Sequence, residues 1–188
     1  MNLTELPENL PIPTDDGAAD HLPAKPLPNI VLPATNGGQV NISHIPGLLV
    51  LYIYPMTGRP DTPLPDNWDQ IPGARGCTPQ SCSFRDHYAE LQHHQASVFG
   101  LSCQTSDYQR EAKTRLHLPF ELLSDDLFAL QHSLHLPTFS SAGTKLYKRI
   151  TLIARDGIIE KVFYPVFPPS DNAQQVLAWL HKQGYQHD

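Results

Sequence analysis

Two of the chain's three cysteines, Cys77 and Cys82, lie five positions apart in the stretch Gly-Ala-Arg-Gly-Cys-Thr-Pro-Gln-Ser-Cys-Ser-Phe-Arg-Asp, residues 73–86. There a loop full of Gly and Pro gives way to a helical pattern. A thiol attacks only as thiolate, and the unpaired N–H groups and positive dipole end of a helix N-terminus favour that charged form. Arg75 and Arg85 add positive charge nearby in sequence. Three chemistries compete for such a pair. The first is a redox-active dithiol, in which Cys77 attacks and Cys82 later closes a disulfide with it. The second is a metal site, which ordinarily takes four ligands, its short Cys-x2–4-Cys spacing matched by a second cluster that this sequence does not show. The third is a pair of small buried hydrophobes.

Geometry constrains the dithiol. With both cysteines inside a regular helix, their Cα atoms would stand roughly 8.6 Å apart. A disulfide needs about 4.4–6.8 Å. The start of the helix must therefore unwind before a bond can close. Pro79 disfavours α geometry at Thr78 and suits the first helical position itself, so the turn holding Cys77 is expected to be weakly helical.

The elements that must position these thiols follow from periodicity. Leu48–Tyr54 is a continuous apolar, β-favouring run, the mark of a strand covered on both faces at the centre of a sheet. A long loop from Pro55 to Gly76, carrying Pro60, Pro63, Pro65 and Pro72, delivers the chain to Cys77. The pattern then predicts an amphipathic helix over 81–96, a strand over 98–103, a helix from a cap at Ser106 or Asp107 to about Leu118, and an edge strand over 120–123. A further helix is expected over 125–136. Strand-like runs 146–154 and 158–166 joined at Asp156-Gly157 read as a hairpin, and 172–182 as a final amphipathic helix stopped by Gly184. Upstream, residues 29–32 and 39–42 around Gly37-Gly38 form a smaller hairpin. The sum is an α/β fold with a central mixed sheet flanked by helices. Residues 1–26, interrupted by Pro7, Pro11, Pro13, Pro23 and Pro26, form an extended arm lying on a single domain that spans 27–188.

Composition narrows the function classes. A net charge of −6 and a pI of about 5.9 leave no basic footprint for nucleic acid. No apolar run reaches the length of a membrane span, and the first residues lack the charged and apolar regions of a secretory signal. The expected address is the cytoplasm. Three cysteines are too few for a disulfide framework, and that compartment keeps thiols reduced.

Residues 76–86, Gly-Cys-Thr-Pro-Gln-Ser-Cys-Ser-Phe-Arg-Asp, resemble the signature of the peroxiredoxins of the Q, or bacterioferritin-comigratory, type. The likeness runs from about Leu27 to the C-terminus. It takes in the strand ending at Tyr54-Pro55, Gly100-Leu101-Ser102, Leu122-Leu123-Ser124-Asp125 and Arg149-Ile150-Thr151. It implies a thioredoxin-like fold and a thiol-dependent peroxidase that needs no cofactor. Cys77 would be the peroxidatic cysteine, oxidised by a hydroperoxide to sulfenic acid, and Cys82 the resolving cysteine that condenses with it into an intramolecular disulfide. Thioredoxin or a similar dithiol would restore the thiols, and Arg149 would hold the thiolate charge and orient the peroxide. Because the disulfide is intramolecular, a monomer is expected, with a dimer as the alternative. The rival readings are a dithiol–disulfide oxidoreductase and a non-catalytic redox sensor.

The chain departs from the resembled pattern at Ala74, where a Thr or Ser hydroxyl three residues before the cysteine would stand. Thr57 or Thr62 would have to replace it, with Thr57 favoured for its closeness to Pro55. Cys103 reads as a packed core residue, and His93-His94 as a solvated helix face. Arg85 could serve the site or pair with Asp86. Trp68 could shape a lid or an oligomer face.

Overall fold

The computed structural model describes residues 2–184. Its centre is a five-stranded mixed sheet of order β5-β4-β3-β8-β9. The six residues of β3 (Leu48–Ile53) are all buried, as their unbroken apolar run requires. Strand β3 pairs in parallel with β4 (Ala96–Ser102), which pairs in parallel with the short edge strand β5 (Leu122–Ser124). On its other side β3 runs antiparallel to β8 (Ile150–Arg155), and β8 turns at Asp156-Gly157 into β9 (Ile158–Phe163). The hairpin and the mixed sheet expected from the sequence are both present.

One face of the sheet carries α1 (Cys77–Asp86), α2 (Tyr88–His93) and α5 (Asn172–Lys182), whose Phe84, Leu91, Val176 and Leu180 pack on Val50 and Tyr52. Tyr52 stacks on Phe84 at 4.5 Å between ring centres, and its ring fills the space beside Gly100, where an added Cβ would stand 2.6 Å from it. The opposite face is covered by α4 (Ala129–Leu134), by Leu22 of the arm and by Leu27 just after it. The hairpin of β1 (Val31–Pro33) and β2 (Gln39–Asn41) adds Leu32 to that face. Helix α3 (Ser106–Arg115) flanks β5 through Gln109, whose amide donates to the carbonyls of Leu123 and Gln104. Residues 24–27 bond to β9 and its turn and extend the sheet. Ala24 N–H donates to Ile159 O, Ile159 N–H to Lys25 O and Leu27 N–H to Gly157 O.

Several boundaries differ from the sequence reading, each for a physical reason. The expected 81–96 helix starts four residues earlier, at Cys77, and breaks at His87 (φ −100°, ψ 9°). Its second half then turns to lay Leu91 on the sheet. The cap of α3 is Thr105, whose hydroxyl accepts from Tyr108 N–H. Asp125 stands outside α4 and caps it by accepting from the N–H groups of Ala129 and Leu130. The expected 146–154 strand is two strands. Thr144–Tyr147 (β7) pairs with Thr138–Ser141 (β6) in a separate hairpin, and β8 begins at Ile150. The last β3–β8 pair is Ile53 with Ile150, and Pro55 beyond it has no N–H with which to continue the ladder. Among the described residues, no helix is long and apolar enough to cross a membrane.

Candidate active site

The break between β7 and β8 is what positions Arg149. It falls one residue past the last β3–β8 pair, at the edge of the sheet where β3 leaves for the loop that leads to Cys77. Cys77 opens α1 and is 4% exposed. The preceding Gly76 sits at φ +111°, a conformation that a side chain would strain, and no side chain caps the helix. Pro79 has no N–H to offer, so the unpaired donors of this first turn are those of Cys77 and Thr78.

Arg149 is 3% exposed, and its guanidinium is fully engaged. Nη2 donates to Cys77 Sγ at 3.2 Å, to Ala74 O at 3.0 Å and to Arg75 O at 3.3 Å. Nε donates to Gly73 O, and Nη1 to Gln80 Oε1. Among the described residues none of its partners is a carboxylate. A buried cation without a counterion is costly. The one partner able to take a negative charge is the Cys77 sulfur.

Gln80 is held in turn. Its Nε2 donates to Asn172 Oδ1 at 2.9 Å, an oxygen that also accepts from the Thr151 hydroxyl at 2.7 Å. Gln80, Asn172 and Thr151 are all 0% exposed, and Asn172 Nδ2 has no partner among the described residues. The sequence reading quoted Gln80 within its motif but gave none of the three a role. Amides and hydroxyls carry no signal of their own, and here they converge from a helix start, a strand and the N-terminus of a distant helix.

Cys82 lies on the same helix in different surroundings. It is half-buried, and burial pushes its thiol above the ordinary range, with Arg85 and Arg115 pulling it down and Asp86 pushing it up. It lines a cavity of about 610 Å³ together with Arg85, Arg115 and residues 2–4 of the arm. Arg85 pairs with Asp86 at 2.8 Å and donates to Leu116 O. Both cysteines lie within the regular helix Cys77–Asp86, so the unwinding requirement stands.

Thr57 is buried, but its hydroxyl is committed elsewhere. It donates to Gln104 Oε1 at 3.1 Å, its N–H donates to the same oxygen, and Gln104 Nε2 returns a bond to Thr57 O. Thr62 is exposed beside Asp61. Neither hydroxyl is hydrogen-bonded to the Cys77 sulfur. Cys103 is half-buried, packs against two apolar clusters and points its thiol at Lys145 O, as a core residue would. His93 is exposed, whereas His94 is buried with its ring 4.9 Å from that of His181, against the expectation of a solvated pair. Trp68 is buried against Phe139 and anchors the long loop on the body.

Comparison with known proteins places this arrangement. Residues 22–177 match the redoxin family. Peroxiredoxin Q, chloroplastic, of Oryza sativa subsp. japonica is 28% identical over 154 residues, covering 81% of this chain and 64% of its own length. Peroxiredoxin bcp1 of Schizosaccharomyces pombe is 32% identical over 130 residues, covering 65% of this chain and 59% of its own. The chain thus spans a little under two thirds of these relatives. Peroxidoxin BcpB of Mycobacterium tuberculosis superposes with a TM-score of 0.70 at 23% identity, over 86% of this chain and 98% of that one. Peroxiredoxin Q of Xanthomonas campestris does so at 0.65 and 23% identity, over 86% and 95%. The fold is therefore thioredoxin-like, and the chain belongs to the redoxin family, where its likeness is to peroxiredoxins of the Q, or bacterioferritin-comigratory, type.

Proposed function

We propose that the protein is a thiol-dependent peroxidase that reduces hydrogen peroxide and organic hydroperoxides. The observation that carries this reading is the contact of Arg149 Nη2 with Cys77 Sγ at a helix N-terminus, where a buried guanidinium finds no carboxylate. That contact sets a fixed cation against the sulfur, which attacks one peroxide oxygen as thiolate while the other departs. The sulfur displaces RO⁻ from ROOH and becomes sulfenic acid; RO⁻ takes a proton and leaves as alcohol or water. Once the first turn of α1 unwinds, the Cys82 thiolate attacks that sulfur, expelling hydroxide and forming the Cys77–Cys82 disulfide. A thioredoxin-like dithiol then reduces the bond. The placement of both thiols on one helix supports an intramolecular cycle in a monomer, and three free thiols support a reducing compartment such as the cytoplasm.

Stopped-flow mixing with hydrogen peroxide tests the reading. Wild type should consume one equivalent in a burst, Cys77→Ser none, and Cys82→Ser one equivalent without recycling by thioredoxin. Absence of a wild-type burst, with reduction of insulin disulfides instead, would establish the oxidoreductase alternative.

A further inference from the structure

The mouth of the Cys77 site is closed by the first residues of the arm. Leu3 is only 8% exposed although Thr4 and Glu5 beside it are exposed. Its methyl groups occupy the space that a side chain at Gly58 would need, 3.2 and 3.4 Å from the position of a Cβ there, with Leu64 on the same spot. Leu6 likewise fills the space over Gly76, 2.9 Å from where a Cβ would stand. Asn2 O accepts from Arg75 Nη2 at 2.9 Å, while Arg75 Nη1 reaches Asp69 of the long loop at 3.1 Å. The Asn2 carboxamide oxygen accepts from both the N–H and the hydroxyl of Thr4, which fixes the turn that aims Leu3 inward.

Under the strap, one space beside Cys77 measures about 10 Å³ and is lined by Leu3, Met56, Gly58, Leu64 and residues 75–78. That is room for roughly one water molecule. A hydroperoxide brings two oxygens and an organic one a bulky group besides, so neither fits that space as the arm stands. Leu3 also lines the cavity of about 610 Å³ in front of Cys82. It is therefore the partition between a cramped pocket holding the reactive sulfur and a roomy one beside it.

We propose that residues Asn2–Leu6 form a strap over the Cys77 pocket, and that Leu3 is a specificity-determining residue that sets the size of hydroperoxide admitted. A rotation of the Leu3 side chain makes room for hydrogen peroxide. A bulky hydroperoxide needs the partition removed, so that its organic group extends into the Cys82 cavity; this requires the strap to lift and the Arg75–Asn2 bond to break. The inference rests on the peroxidase reading for its substrate, but the strap itself is a statement about access to Cys77.

The test separates the two. In wild type, Leu3→Ala, Leu6→Ala and Leu3→Trp, alkylation of Cys77 by iodoacetamide and by fluorescein maleimide is followed by peptide mass spectrometry. First-turnover rates with hydrogen peroxide and with cumene hydroperoxide are measured alongside, and circular dichroism checks the fold. Leu3→Ala should raise the rates of the bulky maleimide and of cumene hydroperoxide about tenfold relative to their small counterparts. Leu6→Ala should act in the same direction, and Leu3→Trp should lower both ratios. Ratios within twofold of wild type in folded variants would overturn the strap. Labelling ratios that shift as expected in a protein that consumes no peroxide would keep the strap and sink the peroxidase.

Discussion

The two thiols of α1 share a helix and little else. Cys77 is almost wholly buried, faces a guanidinium with no carboxylate on it, and lies at the end of the helix where N–H groups are unpaired. Cys82, about a turn and a half further on, is half-buried beside a wide cavity, and the charges around it are the paired Arg85 and Asp86 and, across the cavity, Arg115. Position along one helix thus divides the labour. One thiol faces a fixed cation in a closed pocket, and the other is pushed by burial toward its protonated form. Arg149 is the source of the difference, and replacing it should produce the largest effect short of removing Cys77. Arg149→Met should lower the first-turnover rate by about 10³-fold and Arg149→Lys by about 10²-fold, as for loss of a donor aimed at developing charge. A lysine keeps the charge but cannot span Gln80, the Ala74 carbonyl and the sulfur at once. First-turnover rates within threefold of wild type would break the comparison.

The second prediction concerns Cys82. Because burial raises its thiol, the thiolate fraction is small at neutral pH and climbs with pH. The rate of disulfide formation, measured by quenching and mass spectrometry after a single peroxide equivalent, should rise about tenfold per pH unit from pH 6 to pH 8. Asp86 adds to the upward shift, so Asp86→Asn should displace that profile to lower pH. A flat profile would mean that unwinding of α1 sets the rate.

The residues proposed to carry the chemistry are legible in the sequence because their types are rare or charged. Cys77, Cys82 and Arg149 stand out in a sequence, and the apolar run of β3 marked the centre of the sheet. The partners of Arg149 did not stand out. Gln80 is 69 residues from Arg149 and 92 from Asn172, and no periodicity ties an amide to an amide. Thr57 shows the opposite failure. A hydroxyl sits in the expected part of the chain, yet Gln104, nearby only once β4 packs beside β3, takes its bond. The break at His87 has no Pro or Gly to announce it, so one long helix was the natural reading of 81–96. The arm was expected to lie on the domain, but a single leucine in a proline-rich stretch gives no hint of what it covers.

The network behind Arg149 offers the finest test, because one of its members can be removed without touching the guanidinium. Thr151→Val keeps the shape of the side chain and deletes one donor to Asn172 Oδ1, leaving that oxygen its bond from Gln80. One buried hydrogen bond contributes about 1 kcal/mol, and in a domain of this size that corresponds to a melting temperature about 2–4 °C lower. The first-turnover rate should fall by only a few fold, since Gln80 still holds Nη1 and the backbone carbonyls still hold Nη2. Should Thr151→Val instead slow the reaction as much as Arg149→Lys, the orientation of the guanidinium would belong to the whole chain of amides. The contrast between the two thiols would then originate in the packing of α5 against α1, relayed to the sulfur through Asn172, Gln80 and Arg149.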